Sequence, residues 1–230
     1  MSTRTPRDLT QGPIGRNLLL FALPILGGNI AQSLNGSVNA VWIGRHLGED
    51  ALTAAANANN IMFFLLGSMF GLGMAASILI AQAMGARDTD QARRTMGSSA
   101  TFFIGLSVLI AIGGWWLARH LLAWMGTPAP SLPLAEAYLR VIFLAMPALY
   151  AFAFLAAALR GAGDSRTPFR FLLVAVLLDI AFSPLLIFGI GPFPKLGIAG
   201  SAWATLLAQS LSLLGLLAYM RQRGHALWLG

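Results

Sequence analysis

Apolar residues run along this chain in six long stretches with almost no charge inside them. No ionised side chain occurs between Arg16 and Arg45, from Ala51 to Ala86, from Thr95 to Ala118, from Val141 to Leu159 or from Leu196 to Met220. A helix needs about 20 predominantly apolar residues to cross the hydrocarbon core of a bilayer, and each of these runs meets or nearly meets that length. The predicted spans are residues 17–43, 52–84, 95–118, 134–159, 168–190 and 197–220. The remaining stretch, Phe171 to Pro194, is interrupted once, by Asp179. An ionisable side chain near the bilayer centre costs roughly 2.5–3.5 kcal/mol on insertion scales, which makes Asp179 the first candidate for function.

Polar residues inside the stretches fall into stripes. At 100° per residue, Asn29, Gln32, Asn35 and Asn39 occupy about a third of the circumference of the first span. Asn57, Asn60 and Ser68 form a comparable face in the second span, and Ser201, Thr205, Gln209 and Ser212 in the sixth. Amides and hydroxyls turned to lipid are costly, so these faces are expected either to line a shared cavity or to bond other helices, at about 0.6 kcal/mol per interhelical pair. Asp179 and Ser183 lie four residues apart and share one face of the fifth span. A carboxyl deprived of water binds a proton more readily, so one in such a place can carry a proton across. It can equally ligate a cation such as Na+, with amide and hydroxyl oxygens completing the shell. A structural pair with an arginine is the weakest alternative, because no arginine lies mid-span.

The connections are short, which makes neighbouring helices antiparallel. Gly48-Glu49-Asp50, Gly85 to Arg94 and Thr127 to Ser131 are the expected first three. In the fourth, Gly161 and Gly163 can end a helix and Thr167-Pro168 reads as an N-cap followed by proline at the first helical position. Pro24, Pro147 and Pro184 fall inside spans, where each removes a backbone hydrogen bond; Pro24 and Pro184 are the candidate hinges. Gly67 with Gly71, and Gly197 with Ser201, have the spacing of close helix contacts.

Composition agrees with this pattern. With 57% hydrophobic and 10% charged residues and a mean hydropathy of +0.72, the chain has too few charges to solvate a soluble domain of its size. One membrane domain over residues 1–230 is expected, all-α, with six transmembrane helices. The net charge of +7 forms no stripe that would track nucleic acid phosphates. Instead Arg4, Arg7, Arg16, Arg87, Arg93, Arg94, Arg160, Arg166, Arg170, Arg221 and Arg223 fall on one side of the bundle, and Arg45, Arg119, Arg140 and Lys195 on the other. The positive-inside rule then places both termini in the cytoplasm. The first span is too long and too polar for a cleaved signal peptide.

Other motifs carry no chemistry. Gly71-Leu72-Gly73-Met74-Ala75-Ala76 matches a dinucleotide fingerprint by letter but has no strand before it. The Asn35-Gly36-Ser37 sequon lies inside a span. His46, His120 and His225 sit at span ends and cysteine is absent, so no thiolate site is available. An intramembrane protease needs a serine with a histidine, or two aspartates, at membrane depth, and Asp179 stands alone there; an enzyme is disfavoured.

Five segments in order resemble the multidrug and toxic compound extrusion family, nearest its DinF-like branch. They are Leu9 to Ile14 with Ala22-Leu23-Pro24, Val41-Trp42-Ile43-Gly44-Arg45-His46-Leu47-Gly48, Leu159 to Pro168, Pro184 to Gly189 and Gly197 to Ala202. The resemblance implies an antiporter of a bacterial inner membrane that expels organic, often cationic small molecules in exchange for H+ or Na+ by alternating access, with no cofactor. It covers the N-terminal one of the two six-helix lobes of such proteins. A second lobe is therefore an expected partner, as a missing C-terminal half, a separate chain or a homodimer. Family members commonly carry an aspartate where Asn39 stands, and an asparagine and an aspartate where Asp179 and Ser183 stand. The implied ion-coupling residues are Asp179, Asn39 and Ser183, and Gln32, Asn35, Asn57, Asn60, Ser201 and Thr205 are candidates for the cavity wall. Two rival functions are a lipid-linked oligosaccharide flippase of the same superfamily, which would want a cationic cavity, and a non-transporting assembly subunit.

Overall fold

The computed structural model describes residues 13–223; Arg4, Arg7, residues 9–12 and His225 lie outside the described residues. Six helices follow one another: α1 (Ile14–Leu47), α2 (Glu49–Gly85), α3 (Thr89–Trp124), α4 (Leu132–Gly161), α5 (Arg166–Phe188) and α6 (Ile198–Gln222). All six are long and apolar enough to cross a membrane.

Most helices outrun their predicted spans, because a charge-free run measures the hydrocarbon layer and not the hydrogen-bonded helix. At 1.5 Å per residue, the 34 residues of α1 reach about 50 Å, against about 30 Å of bilayer core. The surplus turns are polar and capped. Glu49 and Asp50, expected in a connection, form the first turn of α2, where carboxylates complement the positive end of the helix. The α1–α2 connection is thus Gly48 alone, at φ 86° and ψ −178°, a conformation open essentially to glycine. The second connection shrinks likewise to Ala86–Asp88, and Asp88 caps α3 by accepting from the Gln91 amide at 2.8 Å. The cap of α5 also differs from expectation. Asp164 accepts from the amides of Arg166 at 3.1 Å and Thr167 at 3.0 Å and from the Thr167 hydroxyl at 2.5 Å, so Thr167 stands inside the helix as a donor.

The centre of the bundle is α4. Its run of alanines, leucines and phenylalanines is buried on most sides, with α2, α3 and α6 packed along it. By contrast α1 buries only Gly28 and Ile43 and rests chiefly against α5. Helices α5 and α6 approach closely, a Cβ on Gly200 lying 2.5 Å from the Leu186 carbonyl oxygen, as do α4 and α2, where one on Gly161 would lie 2.5 Å from the Ser77 carbonyl oxygen. The expected contact through Gly67 and Gly71 is not made within the chain: both face open space. Large apolar side chains cover the outside, Phe63 at 81% exposure and Trp116 at 72% among them. A surface of that kind is stable in lipid and not in water. Helices α1, α4 and α5 run on through Pro24, Pro147 and Pro184.

Candidate functional site

Asp179 lies about 20 Å along the roughly 35 Å length of α5, flanked by Leu177, Leu178, Ile180 and Ala181. It is 3% exposed. Three helices converge on its carboxylate. From α1, Asn35 donates its side-chain amide to Oδ2 at 2.7 Å and Asn39 does so at 2.9 Å, the pair standing one turn apart. From α6, the Thr205 hydroxyl donates to Oδ1 at 3.0 Å, while lying 3.2 Å from the Ser201 carbonyl. No ion pair to Asp179 is found among the described residues; Arg140 pairs with Glu136 at 2.7 Å on α4. The charge is therefore met by oriented dipoles from neutral side chains.

The carboxylate faces a cavity of about 380 Å³. Gln32, Asn35, Asn39, Asn59, Tyr138, Thr205 and Gln209 supply its polar wall, and Ile43, Met62, Leu66, Ile142, Leu149 and Val176 part of its apolar one. No lysine, arginine or histidine lines it. Three oxygens close to the acid in sequence or space are buried and accept or donate no hydrogen bond: Asn35 Oδ1, Asn39 Oδ1 and Ser183 Oγ. An unpartnered buried polar atom costs about 1–3 kcal/mol, so the site holds hydrogen-bonding capacity that its own protein atoms leave unused. Turning either amide over would exchange the N–H it offers an anion for an oxygen that a cation or a protonated carboxyl can use.

The predicted residues divide. Asp179, Asn39, Asn35, Gln32 and Thr205 meet at one cavity, with Gln209 beside them. Ser183 sits one turn beyond the acid, wholly buried, and makes no bond to it. Ser201 is buried behind the wall, where its carbonyl oxygen meets Thr205. The expected lining by Asn57 and Asn60 does not occur. Asn57 ties α2 to the α3–α4 connection by donating to Thr127 Oγ1 at 3.2 Å, and Asn60 is exposed. The lining face of α2 carries Ala56, Asn59, Met62 and Leu66 instead. Helical spacing fixes which residues share a face but not where that face points, and the three polar residues grouped on α2 selected the wrong one. Tyr138 was also missed, since it falls outside the charge-free part of α4; its phenol approaches Asn59 Oδ1 at 3.4 Å.

This fold and site define an integral membrane protein with an ionisable group sequestered midway along an apolar helix beside a polar cleft. The MatE family model matches residues 24–185, and the chain belongs to that family. It is 38% identical over 93% of its length to the probable multidrug resistance protein YoeA of Bacillus subtilis, covering 46% of that protein. It is 32% identical over 94% of its length to an FAD transporter of Shewanella oneidensis, covering 48% of it. Among solved structures, a MATE in complex with MaD3S superimposes with a TM-score of 0.88 at 25% identity, over 100% of this chain and 51% of that one. An outward-facing multidrug resistance MATE transporter of the MOP superfamily gives 0.86 at 25% identity, over 96% and 48%. The chain spans about half the length of the curated relatives it matches.

Proposed function

We propose that this chain is one lobe of a secondary antiporter that exports organic cations, with Asp179 as the group that exchanges cargo for a coupling ion. The observation that carries the reading is a carboxylate 3% exposed, without a cationic partner among the described residues, on the wall of a cavity large enough for a small organic molecule. The geometry of donors aimed at Asp179 suits its anionic form. A proton or Na+ neutralises that form, and a cationic cargo competes for it, so the two are bound alternately. The unused oxygens of Asn35 and Asn39 complete an oxygen shell for Na+ when those amides rotate, and accept the carboxyl proton when H+ binds instead. A cavity with one acid and no base favours cations over a pyrophosphate-bearing lipid or a flavin dinucleotide. A second six-helix lobe closes the pathway, with Pro24 and Pro184 as points of bending. Both termini face the cytoplasm of a bacterial inner membrane.

The test is ion release. In weakly buffered detergent, tetraphenylphosphonium binding to the purified chain should expel protons, and raising Na+ at fixed pH should compete with it if Na+ is the coupling ion. Asp179→Asn should bind without release, and everted vesicles carrying the assembled transporter with that substitution should lose gradient-driven efflux. Undiminished release or efflux from Asp179→Asn ends the proposal.

A further inference from the structure

A second hollow, of about 390 Å³, lies between α3, α4 and α6, away from α1, α2 and α5. Helices α3 and α6 each pack along α4, which holds them apart. Its floor is the stacked pair Phe103 and Phe154, with ring centroids 4.9 Å apart, together with the buried Met96 and Met220. Every lining residue is apolar, and Ile104 at the edge is 55% exposed, so the hollow opens on the outer face of the bundle. A water-soluble cargo finds no hydrogen-bonding group there. An acyl chain finds a slot.

One end of the slot is cationic. On α6, Leu213 and Leu217 line it, and Arg221 continues their line one turn on. Arg223 turns away from the slot: its guanidinium lies 5.6 Å from the centre of the Tyr219 ring, which packs on Phe171 of α5. On α3, Arg93 precedes Met96 by three residues and Ala100 by seven, and so marks that end too. Of the acids at that end, Asp88 and Asp164 are engaged in capping helices, and Asp90 stands in the first turn of α3. Basic sites between membrane helices at the more basic membrane face suit anionic headgroups, and a guanidinium matches a phosphate oxygen pair.

We propose that this groove is a binding site for an anionic phospholipid, with an acyl chain along Phe103 and Phe154 and the headgroup phosphate against Arg221. The site is independent of the transport reading, since none of its residues touches the Asp179 cavity.

Thermal unfolding of the purified chain in neutral detergent tests it, with dioleoyl phosphatidylglycerol, dioleoyl phosphatidylcholine and glycerol 3-phosphate as the three probes and native mass spectrometry as the second readout. Phosphatidylglycerol should raise the melting temperature and remain attached; the zwitterionic lipid with the same chains should do so weakly, and the chain-free phosphate not at all. Arg221→Gln should weaken phosphatidylglycerol binding about fivefold, the worth of one surface cation, and Arg223→Gln much less. Ala100→Phe, which fills the slot, should abolish retention of both lipids. Arg221→Gln lies on exposed surface, so it reports even if the groove-filling variant does not fold. Equal response to the two lipids, stabilisation by glycerol 3-phosphate alone, or unchanged phosphatidylglycerol affinity in Arg221→Gln overturns the assignment.

Discussion

If Asp179 is kept for ion exchange, replacing it by its isostere should leave the fold intact, while replacing it by an apolar residue should not. Asp179→Leu removes the acceptor from the amides of Asn35 and Asn39, which donate at 2.7 and 2.9 Å. Thr205 keeps the Ser201 carbonyl as a partner. Two orphaned buried donors at about 1–3 kcal/mol each give a loss of about 2–6 kcal/mol. Asp179→Asn behaves differently. Its carbonyl oxygen still accepts, and its new N–H groups can be met by the unpartnered Oδ1 atoms of Asn35 and Asn39. Charge-assisted bonds worth roughly 1.5–3 kcal/mol each become neutral ones near 1 kcal/mol. Against that, the several-kcal/mol desolvation of a buried ion is removed. The two nearly cancel, so Asp179→Asn is expected within about 1 kcal/mol of the parent or above it. In detergent melts followed by tryptophan fluorescence, Asp179→Leu should fall by roughly 5 °C or more, taking about 2–4 °C per kcal/mol for a chain of this size. Asp179→Asn should not fall. A drop in Asp179→Asn as large as that in Asp179→Leu would make the acid a structural tie and refute the reasoning.

Gly200→Leu should lower thermal stability by about 1–3 kcal/mol or more, because its Cβ meets the Leu186 carbonyl oxygen at 2.5 Å; Gly67→Leu, with nothing within 4 Å, should melt as the parent does. Asp164→Ala strips three hydrogen bonds from the start of α5 and should cost about 1–2 kcal/mol in the same melt, with Asp164→Asn milder. Asn59→Leu should weaken tetraphenylphosphonium binding several-fold by equilibrium dialysis, since Asn59 lines the cavity; Asn60→Leu, exposed and outside it, should bind as the parent.

The six helices were legible because apolar, charge-free runs of that length have no other stable use. Their ends were not. Glu49, Asp50 and Thr89 belong to helical turns beyond the hydrocarbon, where backbone hydrogen bonding continues after hydropathy has stopped reporting it. At the site, Asp179, Asn35, Asn39 and Thr205 were readable together because a carboxylate and amides cannot be left in lipid. Serines gave a weaker signal. A serine in a helix can satisfy itself on the preceding turn, as Ser37 does on Ser33 at 3.0 Å and Ser68 on Leu65 at 2.7 Å, so it need not mark a polar face. Asn57 and Asn60 misled for a different reason: three neighbouring asparagines on α2 point three ways, and one of them, Asn59, reaches the cavity. Tyr138 was obscured by its nearness to Glu136 and Arg140, which made that turn of α4 look like a membrane boundary.

Gly48 leaves α1 and α2 joined with no slack. Two rods pinned end to end at one residue cannot separate there, so a swing of the lightly buried α1 is delivered to the head of α2, the opposite wall of the cleft. A longer tether would absorb that motion. Lengthening this corner by a few residues would therefore disconnect the two walls mechanically while leaving every side chain at the carboxylate untouched.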